Sequence, residues 1–502
     1  MSTEHQDPYF RTDHLKVGLG ARTARGGAVT LFSQGLKFVL AIVVAATLAR
    51  LLTPGDYGLI GMVAVFTGFA SLFKDLGLST ATIQREEISV GQVSTLFWIN
   101  VTVSVLLAIV FAASAPAIAW FYSEPRLIPI GVATSLGFVL GGLAVQHESL
   151  LRRQMRFMVL AVIEITSILI GAGVAIFWAW YGLGYWALVL SQLSAALATA
   201  MGVWAACRWR PGLPVRNSGI RVMLKFGGHF TGFQIANFFA RNLDNLLIGR
   251  FWGPQQLGFY SRAYQLLLLP IEQVNAPIAA VAVPALSRMV GTPERYRDAY
   301  LRMVEKVAML TMPSMAFMIL TADWIVRIVL GPQWSEVGRI FAWLGLVGLV
   351  QPIANTAGWL FITQGRTHHM FQLSLIGTPF TILAFVVGLR WGAVGVAASY
   401  SVVVVCTIPL VFWYACRTGP VRAIDIYRTI APSLCAALCA LAVGFLFRRW
   451  SGIAAPLTGL AGAFLILTAT TFAVLVSLPA GRRSLRDLKP LAMLLTQKPT
   501  TA

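Results

Sequence analysis

The sequence predicts an all-α polytopic membrane protein with about fourteen transmembrane helices. Three observations predict it. Apolar residues fill 57% of the 502 positions and charged residues only 12%, whereas a soluble domain is roughly half apolar and a quarter charged. Apolar runs of the roughly 20 residues needed to cross a bilayer recur along the chain. Basic residues collect in alternate gaps between those runs.

The runs lie near 28–49, 57–76, 93–114, 127–146, 159–180, 185–206, 226–249, 257–286, 304–329, 338–363, 370–389, 393–416, 428–447 and 456–478. Residues 1–27 are polar and lack the short apolar core and small-residue cleavage site of a secretory signal. With the N-terminus inside, the cytoplasmic stretches 1–27, 74–92, 148–158, 208–225, 288–306, 365–369, 417–428 and 479–502 hold 28 Lys and Arg, and the opposite side holds 7: Arg50, Arg126, Arg250, Arg327, Arg390, Arg448 and Arg449. That fourfold bias is the positive-inside pattern. One missed or invented span would exchange every later gap and degrade it. Both ends are therefore expected in the cytoplasm, with a bacterial inner membrane as the location.

The formal charge of +20 would suit a nucleic-acid binder, but the cations are scattered between apolar runs and form no stripe. No nucleic-acid partner is expected. The external gaps are too short to hold a catalytic domain. Neither a phosphate-cradling loop nor a nucleophile elbow is present. The five cysteines sit in or beside apolar runs and are read as packing residues. No catalytic residues, metal or cofactor are expected, and the chain is read as a non-enzyme.

An internal repeat divides the chain. Arg50-x-x-x-Pro54-x-x-x-Gly58 recurs at an offset of 200 residues as Arg250-x-x-x-Pro254-x-x-x-Gly258, and Gly27, Gln34 and Phe38 match Gly227, Gln234 and Phe238. Both copies pair a span with its following turn. An even number of spans separates them, so they share one orientation. Parallel repeats imply two similar lobes about an axis along the membrane normal.

Ionisable groups within spans are costly to bury and mark functional candidates. In the seventh span His229, Asn237, Arg241, Asp244 and Asn245 fall on roughly one face, with Arg241 and Asp244 at i,i+3. The first span supplies Gln34 and Lys37, and the repeat aligns Lys37 with Asn237. Gln34, Lys37, Asn237, Arg241, Asp244 and Asn245 are the expected cavity or substrate-binding residues. Glu164, alone among apolar neighbours, is an ion-coupling candidate or the partner of Lys37 or Arg241. Glu272 is a second coupling candidate. Pro270, Pro277 and Pro284, seven apart, suggest a curved or hinged helix that gates the cavity.

Several segments are similar to the polysaccharide transporter family of bacterial exporters. They are Leu48-Ala-Arg-Leu-Leu-Thr-Pro-Gly-Asp-Tyr-Gly58, Phe73-Lys-Asp-Leu-Gly-Leu-Ser79, Ile83-Gln-Arg85, Leu96-Phe-Trp-Ile-Asn100, Arg241-Asn-Leu-Asp-Asn-Leu-Leu-Ile-Gly-Arg250, Leu257-Gly-Phe-Tyr-Ser-Arg-Ala-Tyr264 and Val283-Pro-Ala-Leu-Ser-Arg288. The likeness is to the Wzx-type flippases, including the colanic-acid exporter branch, of the multidrug/oligosaccharidyl-lipid/polysaccharide (MOP) superfamily. It covers about residues 20–480.

The resemblance implies a MATE-like architecture: two pseudo-symmetric six-helix lobes plus a C-terminal helix pair. The expected organisation is a cytoplasmic segment 1–27, an N-lobe 28–208, a C-lobe 209–416, a terminal pair 417–478 and a cytoplasmic tail 479–502. The implied activity is flipping of an undecaprenyl-diphosphate-linked oligosaccharide between leaflets by alternating access, for exopolysaccharide, capsule or O-antigen synthesis. The implied partners are that polyprenyl-diphosphate-linked glycan, membrane lipid and the pathway's polymerase and export machinery. Lys37 and Arg241 are the candidates for diphosphate or acidic-sugar contact. A cation-coupled multidrug exporter of the same superfamily, and a membrane glycan polymerase or acyltransferase, are the alternatives.

Overall fold

The computed structural model describes residues 19–73, 82–83, 88–214, 221–452 and 455–486. Side chains are described for most of these, but not for much of 19–31 and 221–241 or for scattered positions such as 269, 270, 272, 273 and 276. The described residues are helical nearly throughout, with no strand among them.

The helices are α1 (Leu19–Leu51), α2 (Pro54–Ser71), α3 (Val90–Tyr122), α4 (Leu127–Arg153), α5 (Phe157–Trp180) and α6 (Tyr185–Ala206). One helical run, Arg221–Ser287, contains a single non-helical residue, Gly253, with φ 76° and ψ −176°. It is two helices, α7 (221–252) and α8 (254–287). Then come α9 (Pro293–Val329), α10 (Ser335–Ala354), α11 (Thr356–Thr363), α12 (Thr367–Gly388), α13 (Gly392–Cys416), α14 (Ala423–Ser451), α15 (Pro456–Ser477) and α16 (Pro479–Arg486).

Among the described residues, ten stretches are long and apolar enough to cross a membrane. One, Thr367–Cys416, holds both α12 and α13, and another, Pro332–Thr363, holds α10 and α11. With α2, α7 and α8 added, the described residues supply fourteen candidate crossings. Of these, α2 falls short of the ten because its first turn carries Pro54 and Asp56, and α7 because it carries the polar residues noted above; within α8, Pro277–Ser287 is a shorter apolar stretch.

The apolar surface is arranged for lipid. Trp120, Trp180, Trp450, Leu457 and Leu465 are exposed, an arrangement water would penalise at about 25 cal/mol per Å². The chain is a multi-pass membrane protein.

Helix ends follow local chemistry. Thr53 caps α2: Asp56 N–H donates to its Oγ1 at 3.3 Å, and Thr53 N–H donates to the Asp56 carboxylate at 2.9 Å. Ser89 and Gln92 form the same reciprocal cap on α3. Helix α9 starts at Pro293, inside the expected gap 288–306, because Pro at the first turn and the following charged residues support a helix that extends past the apolar run.

Contacts divide the chain into two compact units, Met1–Gly258 and Phe259–Ala502. Within the first, α4, α6 and the segment after α6 close over α3. Trp209, 2% exposed, packs its ring 5.1 Å from His147 and 6.2 Å from Phe97. Trp98 Nε1 donates to Gly212 O at 2.9 Å. Trp209→Ala should lower stability by about 3 kcal/mol through the cavity it leaves. Thermal unfolding of the purified protein in detergent measures it, and an unchanged midpoint would refute this account of the core.

The repeated turn has a definite structural meaning in this first unit. A Cβ on Gly58 would lie 1.6 Å from Pro254 O, and a Cβ on Gly258 would lie 1.9 Å from Pro54 O. The glycine of each copy therefore sits against the proline carbonyl of the other. Two helix starts approach so closely there that only hydrogen fits. Position 253, where α7 breaks from α8, is the repeat counterpart of Thr53, the cap of α2.

Candidate functional site

Lys37 lies on α1, fourteen residues before its end at Leu51. Its ammonium donates to Glu164 Oε2 at 2.5 Å. Glu164 is in the second turn of α5, seven residues in, or about 10 Å along the axis. The other carboxylate oxygen, Oε1, is 3.8 Å from Arg152 Nη2, and that same nitrogen donates to Glu148 Oε1 at 2.6 Å. Glu148 and Arg152 occupy the last turns of α4 at i,i+4. Four charges from three helices thus form one line: Lys37, Glu164, Arg152, Glu148.

The line balances two cations against two carboxylates. That balance is what makes it tolerable at depth, since an isolated charge in a helix core costs about 3 kcal/mol. The side chains of Lys37 and Glu164 are 20% and 34% exposed, so the pair is reachable rather than sealed. Gln34, one turn earlier on α1, is exposed. Of the two partners the sequence offered Glu164, the structure joins it to Lys37. The extension to Arg152 and Glu148 was missed. Arg152 reads in sequence as a residue of a cytoplasmic gap, and only the i,i+4 spacing hinted that it continues a helix.

Asp244 is 3% exposed, and its Oδ1 accepts from the Asn245 N–H at 2.8 Å. Asn245 Oδ1 is buried with no partner among the described residues. A buried amide oxygen left unbonded costs about 1–3 kcal/mol unless water reaches it, so α7 carries polar capacity in reserve. The side chains of His229, Asn237, Arg241, Glu272 and Pro270 lie outside the described residues. Pro277 and Pro284 are exposed, and α8 stays helical through all three prolines. In the second unit Asn275, which sequence reasoning passed over, donates to Pro352 O at 3.3 Å, and its buried Oδ1 has no partner among the described residues.

Other charges sit at helix ends. Arg250 lies over the Phe121 ring at 5.9 Å and lines a cavity of about 660 Å³ with Trp120 and Glu124. In that turn Arg126 donates twice to Glu124, at 2.7 and 2.9 Å. Hydrogen bonds from its guanidinium hold the Glu124 carboxyl below its ordinary range. Arg448 grips Asp323 at 2.6 and 2.8 Å and stacks 4.6 Å from the Trp324 ring. No group of three or more potential metal ligands occurs among the described residues.

Comparison with known proteins fits this architecture. The Lipid II flippase MurJ, in an inward closed conformation, matches with a TM-score of 0.71 at 14% identity, over 90% of this chain and 98% of that one. An inward-facing multidrug resistance MATE family transporter of the MOP superfamily matches at 0.60 and 15% identity, over 78% and 94%. At these identities the likeness is one of fold.

Sequence relatives include the teichuronic acid biosynthesis protein TuaB of Bacillus subtilis strain 168, 29% identical over 69% of this chain and 72% of its own. The lipopolysaccharide biosynthesis protein WzxC of Escherichia coli K12 is 25% identical, over 77% and 79%. The succinoglycan biosynthesis transport protein ExoT of Rhizobium meliloti strain 1021 is 26% identical, over 83% and 84%. Residues 47–339, more than half the chain, match the family model described as polysaccharide biosynthesis protein, and the chain belongs to that family.

Proposed function

We propose that this protein is a flippase: it moves an undecaprenyl-diphosphate-linked oligosaccharide from the cytoplasmic to the outer leaflet of a bacterial inner membrane, by alternating access and without covalent chemistry. Its family membership supports the glycan pathway, and its MurJ-like fold supports passage of a lipid-linked substrate. The observation that carries the reading is the line of paired charges that joins the apolar helices α1, α5 and α4. A substrate with an anionic diphosphate and a polar glycan needs such groups within the bilayer, and a passive scaffold does not.

The line also supplies a binding mechanism. Lys37 is the proposed diphosphate ligand, with Arg241 as its counterpart on α7. Phosphate oxygens compete with Glu164 for the Lys37 ammonium. When the substrate takes Lys37, Glu164 keeps only the longer contact to Arg152. Released, it becomes free to take up a proton or cation, which is its proposed coupling role. Gln34, Asn237, Asp244 and Asn245 are proposed as polar residues of the same path in the first unit; Glu272 is kept as a second coupling candidate, and Pro270, Pro277 and Pro284 as a hinge of α8. Both chain ends are proposed to lie in the cytoplasm, a reading that the distribution of Lys and Arg supports.

The test is reconstitution in liposomes with a fluorescent polyprenyl-diphosphate-linked oligosaccharide. Flipping exposes the label to a membrane-impermeant quencher, and protein-dependent loss of the protected fraction is the expected result. Dye efflux with no glycolipid flipping would replace the proposal with the multidrug exporter reading.

A further inference from the structure

A second polar cavity lies in the unit Phe259–Ala502, remote in sequence from the charge line. It measures about 400 Å³ and is lined by Arg302 of α9, Arg428 of α14 and Arg483 of α16, with Asp298, Glu305 and Thr429 beside them. None of the three arginines makes an ion pair among the described residues. All three are exposed, and so is Asp298. Three cations against two carboxylates leave the cavity net positive.

The walls of the cavity are fixed. Arg297 and Asp425 join the starts of α9 and α14 through two contacts, at 2.9 and 2.7 Å. Asp425 also accepts from the Arg422 N–H at 3.2 Å, and Thr429 Oγ1 donates to Asp425 O at 2.8 Å. Helix α16 folds back tightly on α15: a Cβ on Gly481 would meet Leu475 O at 2.3 Å, and Arg482 Nε donates to Val476 O at 2.6 Å. Arg482 is thus spent on capping α15, while its neighbour Arg483 is presented to the cavity.

The location narrows the ligand. The cavity lies at the start of α14 and beside α16, which follows the end of α15, and both α14 and α15 are long and apolar enough to cross a membrane. Exposed cysteines Cys435 and Cys439 continue the face of α14 below Arg428. A ligand here has its anionic group among arginines and its apolar part against lipid-facing helix. Guanidinium groups match phosphate oxygens in geometry as well as in charge, and basic pockets between helices at a membrane surface take lipid head groups.

We infer that the cavity formed by Arg302, Arg428 and Arg483 binds the phosphate head group of a lipid, at a site separate from Lys37 and its partners. Two lipid sources share that chemistry: an anionic phospholipid of the bilayer, and a polyprenyl phosphate or diphosphate.

Full-length protein in phosphatidylcholine nanodiscs tests this by native mass spectrometry with added phosphatidylglycerol, cardiolipin or undecaprenyl diphosphate. Wild type should retain at least one of them, and the one retained identifies the source. Each Arg→Gln substitution at 302, 428 or 483 should weaken retention about fivefold, which corresponds to about 1 kcal/mol per cation. Arg428→Lys should keep most of it.

The control is a set of single variants, Arg295→Gln, Arg390→Gln and Arg449→Gln, each of which removes equal charge from an exposed arginine elsewhere. Equal weakening by this control would reduce the effect to net charge and overturn the site, as would full retention by the three cavity variants. Unchanged thermal midpoints in phosphatidylcholine alone establish that the variants fold. Should one not fold, the remaining single substitutions carry the same comparison. Flipping of the glycolipid is not the readout, so the site can fail while the flippase reading stands, and the reverse.

Discussion

Glu164→Gln should cut glycolipid flipping to about a tenth of the wild-type rate or less at equal expression. The substitution keeps the shape of the side chain and removes its charge. Lys37 then keeps only a neutral partner in place of the carboxylate now 2.5 Å away, and an unpaired charge costs up to about 3 kcal/mol at the centre of a membrane-spanning helix. Arg152 loses its second carboxylate and keeps Glu148. Lys37→Gln should be as damaging, for a different reason: Glu164 survives beside Arg152, but the proposed diphosphate ligand is gone. The reversed pair, Lys37→Glu with Glu164→Lys, separates the two roles. It restores the pair between 37 and 164 but sets the new ammonium beside Arg152, so thermal stability should return only in part, and with the ammonium on α5 flipping should stay low. Wild-type flipping by Glu164→Gln would reduce the line of charges to interhelical packing.

Gly58→Val should abolish flipping, and Gly258→Val should do the same. Either side chain would place a carbon within 2 Å of a proline carbonyl oxygen of the opposing turn, so the two helix starts must part. Backbone hydrogen exchange at 54–62 and 254–258 should quicken by about tenfold or more as the crossing opens. Gly55→Ala is the matched control. The Cβ there would meet only Thr53 Oγ1 at 3.7 Å, an ordinary contact, and exchange should not change. The alanine substitutions at 58 and 258 should also be strongly non-additive, because one that separates the turns removes the constraint on the other. Simple additivity would mean that the two glycines act independently and that the reciprocal contact carries no common energy.

Helix number was legible in the sequence because a bilayer imposes a length, and because loop charges punish a miscount. Helix ends were less so. The start of α9 at Pro293 and the junction of α7 and α8 at Gly253 depend on the first-turn chemistry of Pro and on one left-handed glycine, and hydropathy does not see either. The repeat was readable as six matching residues. That its two glycines pack on each other's prolines was not, since a linear pattern carries no information on which helices meet.

The candidate site was legible to the same degree. Lys37 and Glu164 stood out because each is a charge in an apolar run, and mutual neutralisation follows from cost. Arg152 and Glu148 did not stand out, because charges near the end of a run look solvated until the neighbouring helix is in place. The basic cavity was less visible still. Arg302, Arg428 and Arg483 lie up to 181 positions apart and look alike among the loop arginines.

The contact between Gly58 and Pro254 and between Gly258 and Pro54 has a bearing on ancestry. Residue i touches residue j while the counterpart of j touches the counterpart of i, which defines an isologous interface. Two separate copies of a half-length chain, each with one Pro-x-x-x-Gly turn, would make this contact twice about a two-fold axis. Such a contact, kept inside a single polypeptide, is what duplication and fusion of a half-length chain would leave behind: the turn matches in both copies, while positions such as Lys37 and its repeat counterpart Asn237 differ.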